Sequence, residues 1–212
     1  MSIWADPPAA PVVPMMRGGG AGPMGKRLFD LAAALSLLPL LGLVIAVLWA
    51  LNPLFNPGPL IFRQERMGRG GQAFTMIKLR TMRPGPAARG PEAPLETGRI
   101  TPLGALLRRV RLDELPQILN MLRGEMSFVG PRPDCMSHAL EFVTSIPGYR
   151  ARHAVRPGLT GLAQVSLGYA EGAAATREKV RADLAYIAAA SWATDLRILG
   201  ATAAVILCGR GR

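Results

Sequence analysis

At 212 residues the chain has room for one domain with appendages, and for a real buried core. Half of the residues are hydrophobic and mean hydropathy is positive, yet 25 Lys and Arg against 14 Asp and Glu give a net charge of +11, a balance that suits anionic lipid and phosphate ligands better than nucleic acid. The two cysteines, Cys135 and Cys208, lie far apart and match no metal or redox spacing, which excludes a disulfide framework and points to free thiols.

In chain order, residues 1–25 are rich in proline, contain Gly18-Gly19-Gly20 and lack apolar periodicity, and are expected to form a disordered tail. Leu31 to Leu51 are 21 uncharged residues with Ser36 as the one plainly polar side chain, a helix length of about 30 Å that suffices for a bilayer core. Pro39 interrupts this run by removing a hydrogen bond to the carbonyl of Leu35, so Ser36 and Pro39 mark the expected break. Basic residues flank both ends, with Arg17, Lys26 and Arg27 before and Arg63, Arg66 and Arg69 after, whereas a spanning helix concentrates positive charge on its cytoplasmic side. A bent helix entering and leaving through one leaflet satisfies both features and is expected ahead of a full span or a cleavable signal peptide. The prolines of Asn52 to Pro59 are expected to end this membrane element, which is set at residues 26–59.

The remainder, residues 60–212, is expected to form a catalytic domain. Between Arg63 and Arg83 six basic residues face the single Glu65 around Gly68, Gly70 and Gly71, a pattern for a β-hairpin. Alternation of Lys78 and Arg80 with Ile77 and Leu79 predicts a strand with both basic side chains on one face, and these two are assigned to phosphate contact. Residues 84–98, rich in Pro, Gly and Ala, are expected to be a variable exposed loop. Thr101-Pro102 is a good helix start, and Leu103, Leu106, Leu107 and Val110 form the stripe of a helix that brings Arg108 and Arg111 forward.

Asp113 and Glu114 follow, and Pro116 requires that the next helix begin close to them. Free N–H groups at a helix start favour an ionised carboxylate, and therefore a nucleophile or metal ligand over a proton donor. As an isolated dipeptide the pair would be ordinary helix-start residues. Their surroundings argue otherwise: Arg108, Arg109 and Arg111 precede them, Arg123 follows, and Arg132 is held between prolines in Gly130-Pro131-Arg132-Pro133. Carboxylates ringed by arginines suit a metal-assisted phosphate site.

Farther on, His138 with Glu141 lacks a third ligand nearby, and His153 stands alone, so neither is expected to bind metal. The glycines of Pro157 to Val165 allow close backbone approach. Thr176 to Ala190 reads as a helix burying Val180, Leu184 and Ile187 and exposing Lys179 and Arg181. Ile198 to Gly209 is apolar but too short to span, so it packs internally or lies in the interface.

The motifs K-R-L-F-D (26–30), F-R-Q-E-R-M-G (62–68), K-L-R-T-M (78–82), R-I-T-P-L-G (99–104), L-D-E-L-P-Q (112–117), M-S-F-V-G-P-R-P (126–133) and P-G-L-T-G-L-A-Q-V (157–165) together resemble the bacterial sugar transferase family, the monotopic phosphoglycosyl transferases. The resemblance implies an α+β fold: a re-entrant membrane helix broken at Pro39, and a small, mainly helical cytoplasmic domain with a short β-hairpin and interfacial helices, on the bacterial inner membrane. It implies that Asp113 attacks the sugar-bearing phosphate of a UDP-sugar, expels UMP and forms a phosphosugar-aspartyl intermediate that polyprenyl phosphate resolves. Mg²⁺ at Asp113, assistance from Glu114, and phosphate contacts from Arg108, Arg132 and Lys78 are implied with it, as are UDP-sugar, polyprenyl phosphate and membrane lipid as partners, without nucleic acid and with a homo-oligomer allowed. Relatives often have Ser at the position of Arg111, where it would complete a capping box with Glu114, and Asn-Gly-Arg where Ser166, Leu167 and Gly168 stand here. A second reading from charge alone is a non-catalytic basic membrane adaptor that binds anionic lipid or nucleic acid; acids placed inside the basic region argue against it.

Overall fold

The computed structural model describes residues 23–85, 96–167 and 172–208. Most of the expected tail, most of the 84–98 loop and Gly168 lie outside them. The fold is mainly helical with two small two-stranded sheets.

Helix α1 (Pro23–Ser36) starts three residues before the expected boundary at Lys26. It gives way at Leu37 to α2 (Leu38–Phe55), with Pro39 in the first turn of the second helix. Proline has no N–H to offer there, so the ladder breaks where its absence costs least. Ser36 Oγ donates to Ala33 O at 2.9 Å beside the break. The membrane element ends within Asn52 to Pro59 as expected, though past the first residues of that segment. Asn52 and Pro53 continue the helix, which ends at Asn56, whose N–H reaches Asn52 O at 2.9 Å.

Met24–Phe55 is the one helical stretch among the described residues long and apolar enough to cross a membrane, and most of its apolar surface is uncovered. Leu28, Leu35, Leu43, Val47, Trp49 and Leu54 are all exposed. Its inner side is packed. Ala34 and Leu41 join Phe74, Met76, Ile118, Met121 and Met126 in one apolar cluster, and Leu48 joins Leu79 and Leu107 in another. The elbow therefore rests on the globular body along both arms.

Polar side chains fix both ends of the elbow. Lys26 pairs with Asp195 at 2.5 Å, and Arg27 donates to Met121 O and Leu122 O, the carbonyls that close a downstream helix. Asp30, almost fully buried, accepts from Ser127 Oγ and the Phe128 N–H. At the far end Asn56 Nδ2 donates to Arg80 O at 2.8 Å. The K-R-L-F-D motif is thus the clamp between the apolar helix and the domain.

Strands β1 (Ile61–Met67) and β2 (Ala73–Leu79) form the expected antiparallel hairpin, Ile61 opposite Leu79 and Met67 opposite Ala73, turned at Gly70 and Gly71 with positive φ. Helix α3 (Pro102–Arg109) is capped by Thr101, whose Oγ1 accepts from the Gly104 N–H at 3.0 Å. A 3₁₀ turn (Leu112–Gln117) leads into α4 (Ile118–Arg123), then β3 (Ser127–Val129) and α5 (Met136–Ser145). Strand β4 (Gly158–Thr160), α6 (Leu162–Leu167), α7 (Gly172–Ala188) and α8 (Trp192–Leu207) complete the chain.

The parallel pairing of β3 with β4, Ser127 against Gly158 and Val129 against Thr160, goes beyond the expected hairpin. It gives the glycines after Pro157 a partner: a Cβ on Gly158 would stand 2.1 Å from Gly130 N, and one on Gly161 would stand 2.2 Å from Gly130 O. They permit the close backbone approach that their sequence allows, backbone against backbone. Gly158→Ala is expected to lower stability by about 1–3 kcal/mol through forced overpacking, read as an earlier midpoint in denaturant unfolding of the detergent-solubilised protein.

Candidate active site

Helix α3 delivers the chain to the site through a tight turn. Val110 N–H bonds to Leu106 O, Arg111 N–H to Arg108 O, and Glu114 N–H to Arg111 O, each at 3.2 Å. Arg111 is the one non-glycine residue with positive φ among the described residues, at φ 59° and ψ 16°. This left-handed residue supplies the reversal that a capping side chain would otherwise stabilise, and it swings Asp113 and Glu114 inward.

Both carboxylates are buried, at 8% and 6% exposure. Lys78, from β2, reaches Glu114 Oε1 at 2.9 Å, and Arg132, from the loop after β3, reaches the same oxygen at 2.6 Å. Burial alone would raise the Glu114 carboxyl, but Arg132 and Lys78 outweigh it and hold the group well below the usual carboxylate range. Burial, then Arg132, pull the Lys78 ammonium down to about 8 against the pull of Glu114. Glu114 is therefore a fixed anion that holds two cations in place.

Asp113 is in a different state. Its Oδ1 is buried without a hydrogen-bond partner. Burial and then the charge of Glu114 push its carboxyl above the usual range, with Lys78, Arg108 and Arg111 opposing. The expected preference for ionisation at a helix start is thus outweighed by desolvation, because the 3₁₀ turn leaves Oδ1 without a donor. An uncommitted buried carboxylate oxygen fits a hard cation such as Mg²⁺, which binds through one or two carboxylates and completes its shell with substrate phosphates and water. Among the described residues no cluster of three His, Cys, Asp or Glu offers a fuller cage.

Arg108 anchors its Nε on Thr81 Oγ1 at 2.8 Å and acts on Asp113 through its charge. Arg80 departs from its expected role. The Arg80 N–H continues the hairpin ladder to Leu60 O at 2.8 Å, but its guanidinium is taken up by Pro59 O, Asn56 O, Asn56 Oδ1 and Met82 O. It fastens the end of α2 to the hairpin and does not join the carboxylates.

A buried charge network below Arg132 was not foreseen. Arg152, 1% exposed, donates to Arg132 O at 2.7 Å and pairs with Asp183 at 2.7 Å and with Asp134. Lys179, expected on the surface, pairs with the other oxygen of Asp134, and Tyr149 OH donates to Asp134 Oδ2 at 2.8 Å. The network sets the backbone from which Arg132 reaches Glu114. An acid at position 183, inside the Val180, Leu184, Ile187 stripe of α7, was its available sequence signal. His153 lies against Tyr149, and burial followed by Arg152 pulls it down to about 4, so it is a neutral core histidine near neutral pH.

The chain matches the family described as bacterial sugar transferase over residues 22–209. It is 41% identical over 198 residues to the UDP-glucose:undecaprenyl-phosphate glucose-1-phosphate transferase of Caulobacter vibrioides, covering 87% of this chain and 72% of that protein. It is 39% identical over 187 residues to the UDP-N-acetylgalactosamine-undecaprenyl-phosphate N-acetylgalactosaminephosphotransferase of Aeromonas hydrophila, covering 88% of this chain and 44% of that one. Against the exopolysaccharide production protein PSS of Rhizobium leguminosarum bv. phaseoli it is 37% identical over 198 residues, covering 88% and 97%. The chain therefore spans nearly all of the Rhizobium relative but less than half of the Aeromonas one. With the family match running over residues 22–209 and relatives 37% to 41% identical over most of the chain, the chain belongs to the bacterial sugar transferase family.

Proposed function

We propose that this protein transfers sugar-1-phosphate from a UDP-sugar to polyprenyl phosphate, releasing UMP, as the first step in building a surface glycan or exopolysaccharide. The observation that carries the proposal is the buried, uncommitted Oδ1 of Asp113 among Lys78, Arg108 and Arg111, beside a Glu114 already neutralised by Arg132 and Lys78. A structural acid in such a place would be hydrogen-bonded.

In this mechanism the Asp113 carboxylate attacks the sugar-bearing phosphorus of the UDP-sugar. The bond from that phosphorus to the bridging oxygen breaks, and its electrons leave with UMP. A phosphate oxygen of polyprenyl phosphate then attacks the same phosphorus, and the Asp113 carboxylate is regenerated. Lys78, Arg108 and Arg132 hold phosphate oxygens and offset their charge, while Glu114 keeps Lys78 and Arg132 in position. Mg²⁺, held by Asp113 and substrate oxygens, would neutralise the diphosphate.

The elbow supports a re-entrant placement. Its two ends are both tied to one globular body, through Asp195 and Leu122 at one end and Arg80 at the other, while its outer apolar side is uncovered. Both arms then enter one leaflet of the inner membrane with the break at Ser36 and Pro39 inside it, and the domain faces the cytoplasm, where UDP-sugars are made. The basic side chains gathered on the carboxylates also favour an enzyme over a basic adaptor.

The test is UMP release from a panel of UDP-sugars by detergent-solubilised protein with Mg²⁺ and undecaprenyl phosphate. Release that needs one sugar, the lipid and Asp113 supports the proposal; no release from folded protein with any UDP-sugar contradicts it. The pH profile of kcat/KM carries a further expectation. Asp113 must be ionised, so activity falls as pH drops through its raised pKa, and Lys78 must be charged, so activity falls again as pH rises through about 8. Lys78→Arg is expected to move the alkaline limb upward by more than one pH unit while leaving the acid limb in place.

A further inference from the structure

Arg111 is held in the left-handed region, a conformation disfavoured for a residue that carries a side chain. Glycine would occupy it without that cost. The side chain kept there is a long cation, and it is only loosely engaged. Its guanidinium lies 3.9 Å from Glu114 Oε2, beyond hydrogen-bond length, and makes no hydrogen bond among the described residues. It is about one-third exposed, whereas Lys78 is half as exposed and both Lys78 and Arg132 are bonded to Glu114. Its charge also acts on Asp113, which places it at the reacting end of the site.

Glu114 does not require this third cation, since its Oε1 already receives two. A planar fork with uncommitted donors, at the solvent side of the carboxylates, matches a phosphate that arrives from outside. We infer that Arg111 is a substrate-binding residue, its guanidinium taking the non-bridging oxygens of an incoming phosphate group and releasing its weak contact with Glu114 when it does so. The inference rests on the proposed transferase reaction and adds to it a ligand for one of its two phosphate substrates, the diphosphate of the UDP-sugar or the phosphate of the lipid acceptor.

The test uses the full chain in detergent with Arg111→Gly, which keeps the left-handed backbone and removes the cation, and Arg111→Lys, which keeps a cation. Arg111→Gly is expected to raise KM about tenfold for one phosphate substrate, the loss of one charge-assisted contact, with kcat changed less than threefold. A rise for UDP-sugar assigns the donor diphosphate, and a rise for undecaprenyl phosphate assigns the acceptor. Arg111→Lys, which keeps the charge but not the fork, is expected to recover part of the loss. Both KM values within twofold of wild type in Arg111→Gly, whose backbone keeps the left-handed turn, would overturn the inference. Wild-type turnover in the same assay tests the reaction itself. Binding of UDP and of undecaprenyl phosphate, measured without turnover, gives the Arg111 ratios independently of it.

Discussion

Asp113→Asn is expected to abolish lipid-dependent UMP release, a loss on the order of 10³- to 10⁶-fold for removal of a covalent nucleophile, while making the protein more stable. The two effects have one cause. Oδ1 is buried without a donor, and burial pushes the carboxyl above its usual range. The folded state therefore bears the cost of a partly desolvated charge that an amide of the same shape does not incur. A gain of about 1 kcal/mol corresponds to a rise of roughly 2–4 °C in unfolding temperature for a domain of this size. Glu114→Gln should behave in the opposite way. It leaves Lys78 and Arg132 facing a neutral amide, so stability falls along with activity. Thermal unfolding of the two variants beside wild type separates the strained acid from the satisfied one.

The second large effect lies away from the carboxylates. Arg152→Met is expected to cost about 3–5 kcal/mol, because it strands Asp183 in the interior and strips Asp134 of one of its two cations. Lys179 and Tyr149 still reach Asp134, so Asp183, 1% exposed, is the more exposed to loss of its partner's charge. Folded protein recovered at low temperature should also show a raised KM for UDP-sugar, since Arg132 O loses its donor and the loop that aims Arg132 at Glu114 loosens. Arg152→Lys retains the charge but not the fork, and cannot serve Asp134, Asp183 and Arg132 O together; an intermediate loss is expected. Denaturant unfolding gives the stability term, and KM against kcat the positioning term.

Local chemistry was legible in the sequence wherever one residue dictates the backbone. Pro39 marked the elbow, Gly70 and Gly71 the hairpin turn, and Thr101-Pro102 the start of α3. The carboxylate pair stood out because acids among arginines need a reason. What escaped depends on contacts between distant segments. Strands β3 and β4 have three residues each, too few for a period, and they pair only because Gly130 and Gly158 admit close backbone approach. Lys179 sits on a helix face that reads as solvated until Asp134 arrives from 45 positions away. Arg80 shows the limit of alternation, since the rule says nothing of the carbonyls at Asn56, Pro59 and Met82 that occupy its guanidinium. Pro53 likewise reads as a stop, yet α2 runs through it for two more residues to Phe55.

The measurement closest to the central claim is the mass of the intact protein after brief incubation with its UDP-sugar and Mg²⁺ without lipid acceptor. The expected result is a stoichiometric gain equal to one sugar phosphate, located on the peptide containing Asp113, absent from Asp113→Asn and discharged by undecaprenyl phosphate. Rapid lipid-dependent turnover with no such adduct, or an adduct on another residue, would contradict the assignment of Asp113 as the nucleophile.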